Sequence, residues 1–183
     1  MSLNCRHGLL AFVCALLLGC ASTPGSDRCA GQTQPPMPGM STVDNPALLN
    51  SALGQPGKGG LCTGQVRRQD AADQTVTVYR VYDSGKANSR LGRWWSFSAP
   101  QGPVAAYRAA NAICPSWSQL NRVVRCQLKV GAQVAVGPGQ SADCAPDPNY
   151  PPSPVNQVYV PNASPDSLLV ERCEDLGDFP PAS

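Results

Sequence analysis

Nine cysteines in 183 residues constrain this chain more than any other feature, because its first twenty residues decide which compartment those thiols meet. Arg6 precedes an apolar run from Gly8 to Gly19. That length suits the core of a secretory leader and falls short of the roughly 20 residues a transmembrane helix needs. Export delivers a chain to an oxidising compartment, where thiols pair. Cys5 and Cys14 leave with a leader over 1–19, Cys20 opens the remainder, and six cysteines follow: Cys29, Cys62, Cys114, Cys126, Cys144 and Cys173. Up to three disulfides are expected, and the first pairing expected is Cys114 with Cys126, which closes a short loop. Metal binding is not expected, since no CxxC spacing occurs and the single histidine, His7, lies in the leader. Its removal also excludes Ser-His-Asp and Cys-His catalysis.

Leu17-Leu18-Gly19-Cys20 resembles the bacterial lipobox. The resemblance implies cleavage before Cys20, acylation of that cysteine, and a lipid bilayer as the partner that holds the chain at the cell envelope. Ala21 rather than Asp at the next position implies the outer membrane. Residues 20–60, rich in proline and glycine, are expected to be a tether with a typical reach of roughly 35 Å. One or two helical turns are expected over 45–53. Residues 61–183 form the folded domain. With 14 basic and 12 acidic side chains, the charge is too balanced for a nucleic-acid binder.

Glycine (17) and proline (19) are frequent enough to favour short elements over long helices. Residues 75–82 alternate β-branched, aromatic and polar side chains and read as a strand. Its period of two places Val76, Val78, Arg80 and Tyr82 on one face. A guanidinium among valines needs an acceptor. The strand alone favours a structural carboxylate such as Asp83 or Asp143 over an anionic ligand. Residues 90–98 read as a second strand with Trp94 and Trp95 at its centre. One of the two is expected in the core and the other as surface cover; alternatively both wall a planar ligand. A helix over 103–113 is expected to end at Pro115. Strands follow at 125–130 and 133–136, broken at Gly131, with a turn at Pro138-Gly139. The last strands are 155–160 and 167–170, the latter leading into Cys173. These elements give an α+β class with a mainly antiparallel sheet and one or two short helices.

Four stretches in order, Val78-Tyr-Arg-Val-Tyr-Asp83, Gly92-Arg-Trp-Trp-Ser-Phe-Ser98, Ala106-Tyr-Arg-Ala-Ala-Asn111 and Gln157-Val-Tyr-Val-Pro-Asn162, together resemble bacterial toxin domains of the ADP-ribosyltransferase fold. The resemblance covers about half the chain and implies a split sheet whose cleft holds NAD. It implies that Arg80 meets the dinucleotide phosphates, a role suited to a planar guanidinium. It further implies that Ser96 and Ser98 order the nicotinamide ribose, and that Trp94, Trp95 or Phe97 stacks on nicotinamide. Transferases of this family carry glutamate where Gln157 stands, so the carboxylate that stabilises a developing oxocarbenium ion is missing. Glutamine in this neighbourhood is similar to the NAD-glycohydrolase branch of the family, which also uses a histidine. Glu171 and Glu174, beside Cys173, are expected in surface salt bridges. The resemblance leaves two functions to compare: NAD binding with glycohydrolysis, and a catalytically silent interaction or structural module of the envelope, with its protein partner unknown.

Overall fold

A computed structural model describes residues 28–180; the leader and Cys20 lie outside the described residues. Antiparallel pairing organises the chain into two sheets. The larger contains β1 (Met40–Val43), β2 (Gln65–Gln69), β6 (Gln133–Gly139), β7 (Ser153–Tyr159) and β4 (Trp94–Trp95), in that order. The smaller contains β3 (Thr77–Tyr82), β5 (Arg122–Leu128) and β8 (Val170–Asp178). Two α-helices accompany them, α1 (Pro46–Ala52) and α2 (Val104–Asn111). The class is therefore α+β and mainly antiparallel.

Strand periodicity explains the layering. Val78, Val124, Cys126 and Leu128 of the smaller sheet meet Val134, Val136, Val158 and Trp95 of the larger in one core. On the opposite face of the larger sheet, Val66, Ala135 and Tyr159 receive Ala52 and Leu61, with Leu48 and Leu49 of α1 packed alongside. On the opposite face of the smaller sheet, Val81, Leu120, Val123 and Phe179 receive Val104, Tyr107 and Ile113. Helix α1 thus covers the outer face of the larger sheet, whereas α2 packs Val104 and Tyr107 on the smaller sheet and is hydrogen-bonded to β7 of the larger. The sheets are stitched together where Tyr79 of β3 and Ser96, just beyond β4, exchange two backbone hydrogen bonds of 2.8 Å.

The tether expected over 20–60 is corrected by the structure from residue 28 onward. Cys29 is bonded to Cys62, β1 pairs along β2 from Met40↔Gln69 to Val43↔Val66, and α1 buries Ala52. Helix α1 forms because Asn45 accepts from the Leu48 amide at 3.0 Å and Pro46 opens the first turn. A turn expected at Pro138-Gly139 is also corrected. Both residues continue β6, where Pro138 sits at a register shift that tolerates its missing N–H. The strands flanking Gly131 do not pair with each other; the bend sends the chain from the smaller sheet to the larger.

Three disulfides form, Cys29–Cys62, Cys114–Cys144 and Cys126–Cys173, so the expected Cys114–Cys126 pairing is wrong. Cys126 points into the core beside β8, where Cys173 lies next door, whereas Cys114 follows α2 and meets the segment after β6. Glu174 bridges to Arg125 as the sequence suggests, but Glu171 takes part in no ion pair among the described residues.

Strand β8 occupies the free edge of the smaller sheet and is studded with Glu171, Arg172, Glu174, Asp175 and Asp178. Asp175 accepts from the Gly177 amide, the Tyr82 hydroxyl and Arg122. These bonds, the Gly177 amide foremost, hold its carboxyl below the usual carboxylate range against the opposing effect of burial. A depressed folded value stabilises the protein above the unfolded carboxylate pKa, about 3.9, and that stability is lost as pH falls through the folded value. Asp175→Asn should therefore lower the urea midpoint near neutrality, and the gap from the parent protein should narrow as pH falls below about 4. A gap that is constant with pH would refute this assignment.

Candidate functional site

The seam between the sheets gathers side chains that are distant in sequence. Arg80 on β3, Trp94 and Trp95 on β4, and Gln157 on β7 line one cavity of about 560 Å³. Helix α2 contributes Tyr107 and Asn111 to one wall, continued by Ile113 and Trp117, and the loop after α1 contributes Leu53, Gly54, Gln55, Lys58, Gly59 and Gly60 to another. Four of the sequence-predicted residues therefore converge. Ser96 and Ser98 do not join them. They line a neighbouring depression of about 270 Å³ with Val155, and Tyr107 and Asn111 form the ridge that both spaces share. The Ser96 hydroxyl accepts from the Ser98 amide at 3.0 Å, a local turn contact.

Arg80 has no carboxylate partner, contrary to the structural ion pair favoured from the strand. Its Nε donates to the Ser89 carbonyl at 2.8 Å and its Nη1 to the Trp94 carbonyl at 2.7 Å. Asp83 instead receives the amides of Gly85 and Gln119 and lies 4.0 Å from Lys86, while Asp143 is exposed. Nη2 donates to no acceptor among the described residues. It abuts Gly92, where an added Cβ would lie 2.6 Å away, so the absence of a side chain there makes room for the guanidinium. Desolvation pushes the Arg80 pKa down to about 10, partly offset by Tyr107, so the group stays charged at neutral pH. Burial also pushes the Tyr107 hydroxyl up to about 12, leaving a neutral phenol beside the cation.

Aromatic faces complete the walls. Trp95 is 3% exposed, and its indole N–H donates to the Gly92 carbonyl at 2.7 Å. Trp94 meets Tyr159 edge-to-face at 5.1 Å on the other side of the sheet. The pair divides between core and outer face as the alternation requires, and both indoles also border the cavity. Trp117 is 43% exposed at the rim, its ring 3.0 Å from where a Cβ on Gly59 would stand. Gln157 donates its amide to the Asn111 carbonyl at 2.8 Å, tying β7 to the end of α2.

Charge in the cavity has one sign. Arg80 and Lys58 are the cations among its lining residues, and no Asp or Glu lines it. Such a space suits an anion that also carries flat, weakly polar surface. Sequence reasoning missed Lys58 and the whole 51–60 wall because proline and glycine density marked that stretch as tether. Trp117 was passed over as well; an aromatic three residues after a cysteine is a signal that could have drawn notice once that cysteine was known to be pinned. Among the described residues no group of three or more His, Cys, Asp or Glu gathers for a metal, and no helix is long and apolar enough to cross a membrane. Comparison of the chain with family models, curated proteins and solved structures returns no match.

Proposed function

We propose that the domain binds NAD in the seam cavity, on a scaffold like that of the ADP-ribosyltransferases, and that acylated Cys20 displays it at the bacterial outer membrane. One observation carries the ligand reading. Arg80 is desolvated, is held in place by two carbonyls and lacks a carboxylate, so its remaining N–H groups are available to a phosphate. Trp117 at the rim and the half-buried Trp94 supply faces on which a planar base could stack. The anchor rests on the sequence around Cys20.

Binding without efficient turnover is the form of this function the cavity supports best. Loss of nicotinamide leaves positive charge on the ribose, and the lining offers cations and neutral groups but no carboxylate to stabilise it. The amide of Gln157 is engaged with Asn111, which favours a positioning role for this residue over the catalytic one implied by family resemblance. A silent interaction module is the second reading, favoured by the same engagement.

Incubation of the oxidised protein with NAD, followed by equilibrium dialysis and chromatography, tests both. Retention of NAD with little free nicotinamide is the expected result, and no retention would defeat the NAD reading. Gln157→Glu replaces a donor facing a carbonyl by a carboxylate that must turn away from it toward the cavity. This variant should lose about 1 to 2 kcal/mol of stability and gain nicotinamide release. The same destabilisation without any release would favour the silent module.

A further inference from the structure

Lys58 stands in the run Gly57-Lys58-Gly59-Gly60, on the wall of the cavity contributed by the loop after α1. The side chain is exposed, but the backbone that carries it is fixed. Gly57 donates to the Ser141 hydroxyl and Gly59 to the Ser141 carbonyl, both at 2.8 Å, and the Asp143 amide donates back to Gly57 at 2.9 Å. Gly57 and Gly59 hold left-handed φ values of 79° and 69°, which a side chain would resist. At Gly57 an added Cβ would also collide with the Asp143 carboxylate, so the loop lies flat against the 141–143 segment. The result is a lysine whose exposed, flexible side chain is carried by a fixed stretch of backbone at the border of the cavity.

Two cations therefore border the same space from different elements, Arg80 from β3 and Lys58 from the α1 loop, with no carboxylate among the lining residues to neutralise either. Arg80 spends Nε and Nη1 on carbonyls, which leaves it a limited donor set for a ligand. A pyrophosphate carries two charged phosphoryl groups and would be under-matched by Arg80 alone. We propose that Lys58 is the second phosphate contact of the cavity and selects ligands with a pyrophosphate over those with a single phosphate. This inference rests on the NAD reading above and adds to it a residue that sequence analysis left inside a tether.

The test is calorimetric titration of the full, oxidised chain in detergent with NAD, ADP-ribose and nicotinamide mononucleotide. Lys58→Gln and Lys58→Arg are compared with the parent protein. Lys58→Gln should weaken both pyrophosphate ligands about tenfold, as expected for loss of one charge-assisted contact. It should change the affinity for nicotinamide mononucleotide by less than about twofold. Lys58→Arg should restore pyrophosphate binding, a rescue that mere loop damage would not allow. Equal affinities for the pyrophosphate ligands in the parent and Lys58→Gln would overturn the assignment of Lys58 while leaving the NAD reading standing. No binding of either pyrophosphate ligand to the parent protein would overturn both.

Discussion

Arg80→Met should weaken binding of NAD and ADP-ribose severely while the protein stays folded. Two effects oppose each other in its stability. The Ser89 and Trp94 carbonyls lose their donors, at about 1 to 3 kcal/mol each if they stay dry. Removing a desolvated, carboxylate-free guanidinium returns part of that loss, because its charge is held against burial. A net destabilisation of about 2 kcal/mol is expected by urea denaturation. The affinity loss should be about 100-fold, since an uncompensated charged contact goes with the guanidinium. Arg80→Lys should not rescue binding, because a compact ammonium lacks the extended planar fork by which the guanidinium reaches the Ser89 and Trp94 carbonyls and still presents N–H groups to a phosphate. Retained affinity in Arg80→Met would show that the ligand does not contact Arg80.

Replacing Cys114 and Cys144 by alanine should cost ligand binding as well as stability, and replacing Cys126 and Cys173 should cost stability alone. The loops closed are of similar size, with sequence separations of 30 and 47, so loop-closure entropy predicts about 4 kcal/mol for each bond. Position is what distinguishes them. Cys114 follows the cavity residues Asn111 to Ile113, and Cys144 follows the 141–143 segment that carries the Gly57–Gly59 loop. The bond therefore ties one wall of the cavity to the support of the other. Cys126 and Cys173 join β5 to β8 in the smaller sheet, outside the cavity lining. Affinity measured at a urea concentration far below both midpoints separates the two variants. An equal loss of affinity in both would mean that the cavity responds only to overall stability.

Much of the frame was legible because alternation survives wherever a strand is covered on one face. Strand β3 starts two residues later than its pattern suggested, and β7 and α2 stand close to where periodicity put them. Local signals failed where tertiary pairing supplied what they lacked. Pro138-Gly139 reads as a turn, but β6 runs between β2 and β7 and carries the dipeptide through at an irregular register. The stretch before residue 60 reads as coil by composition, and a disulfide, an N-cap and a four-residue edge strand order it from residue 28. Cysteine connectivity had no local signal at all. Arg80 could be singled out as a cation on a partly apolar strand face, and its convergence with Trp94, Trp95 and Gln157 follows from the order of strands. The same order leaves Ser96 and Ser98 across the Tyr107–Asn111 ridge, which the linear motif could not show.

The free edge of β8 bears on how this protein behaves in a crowd. Its backbone could in principle recruit the matching strand of another molecule, and a disulfide at Cys173 keeps that strand permanently presented. Four acids and one arginine along nine residues, three of the acids paired with Arg122 and Arg125 of β5, give this edge the charged character that discourages such recruitment. Edge-to-edge pairing of two copies through this strand is therefore disfavoured.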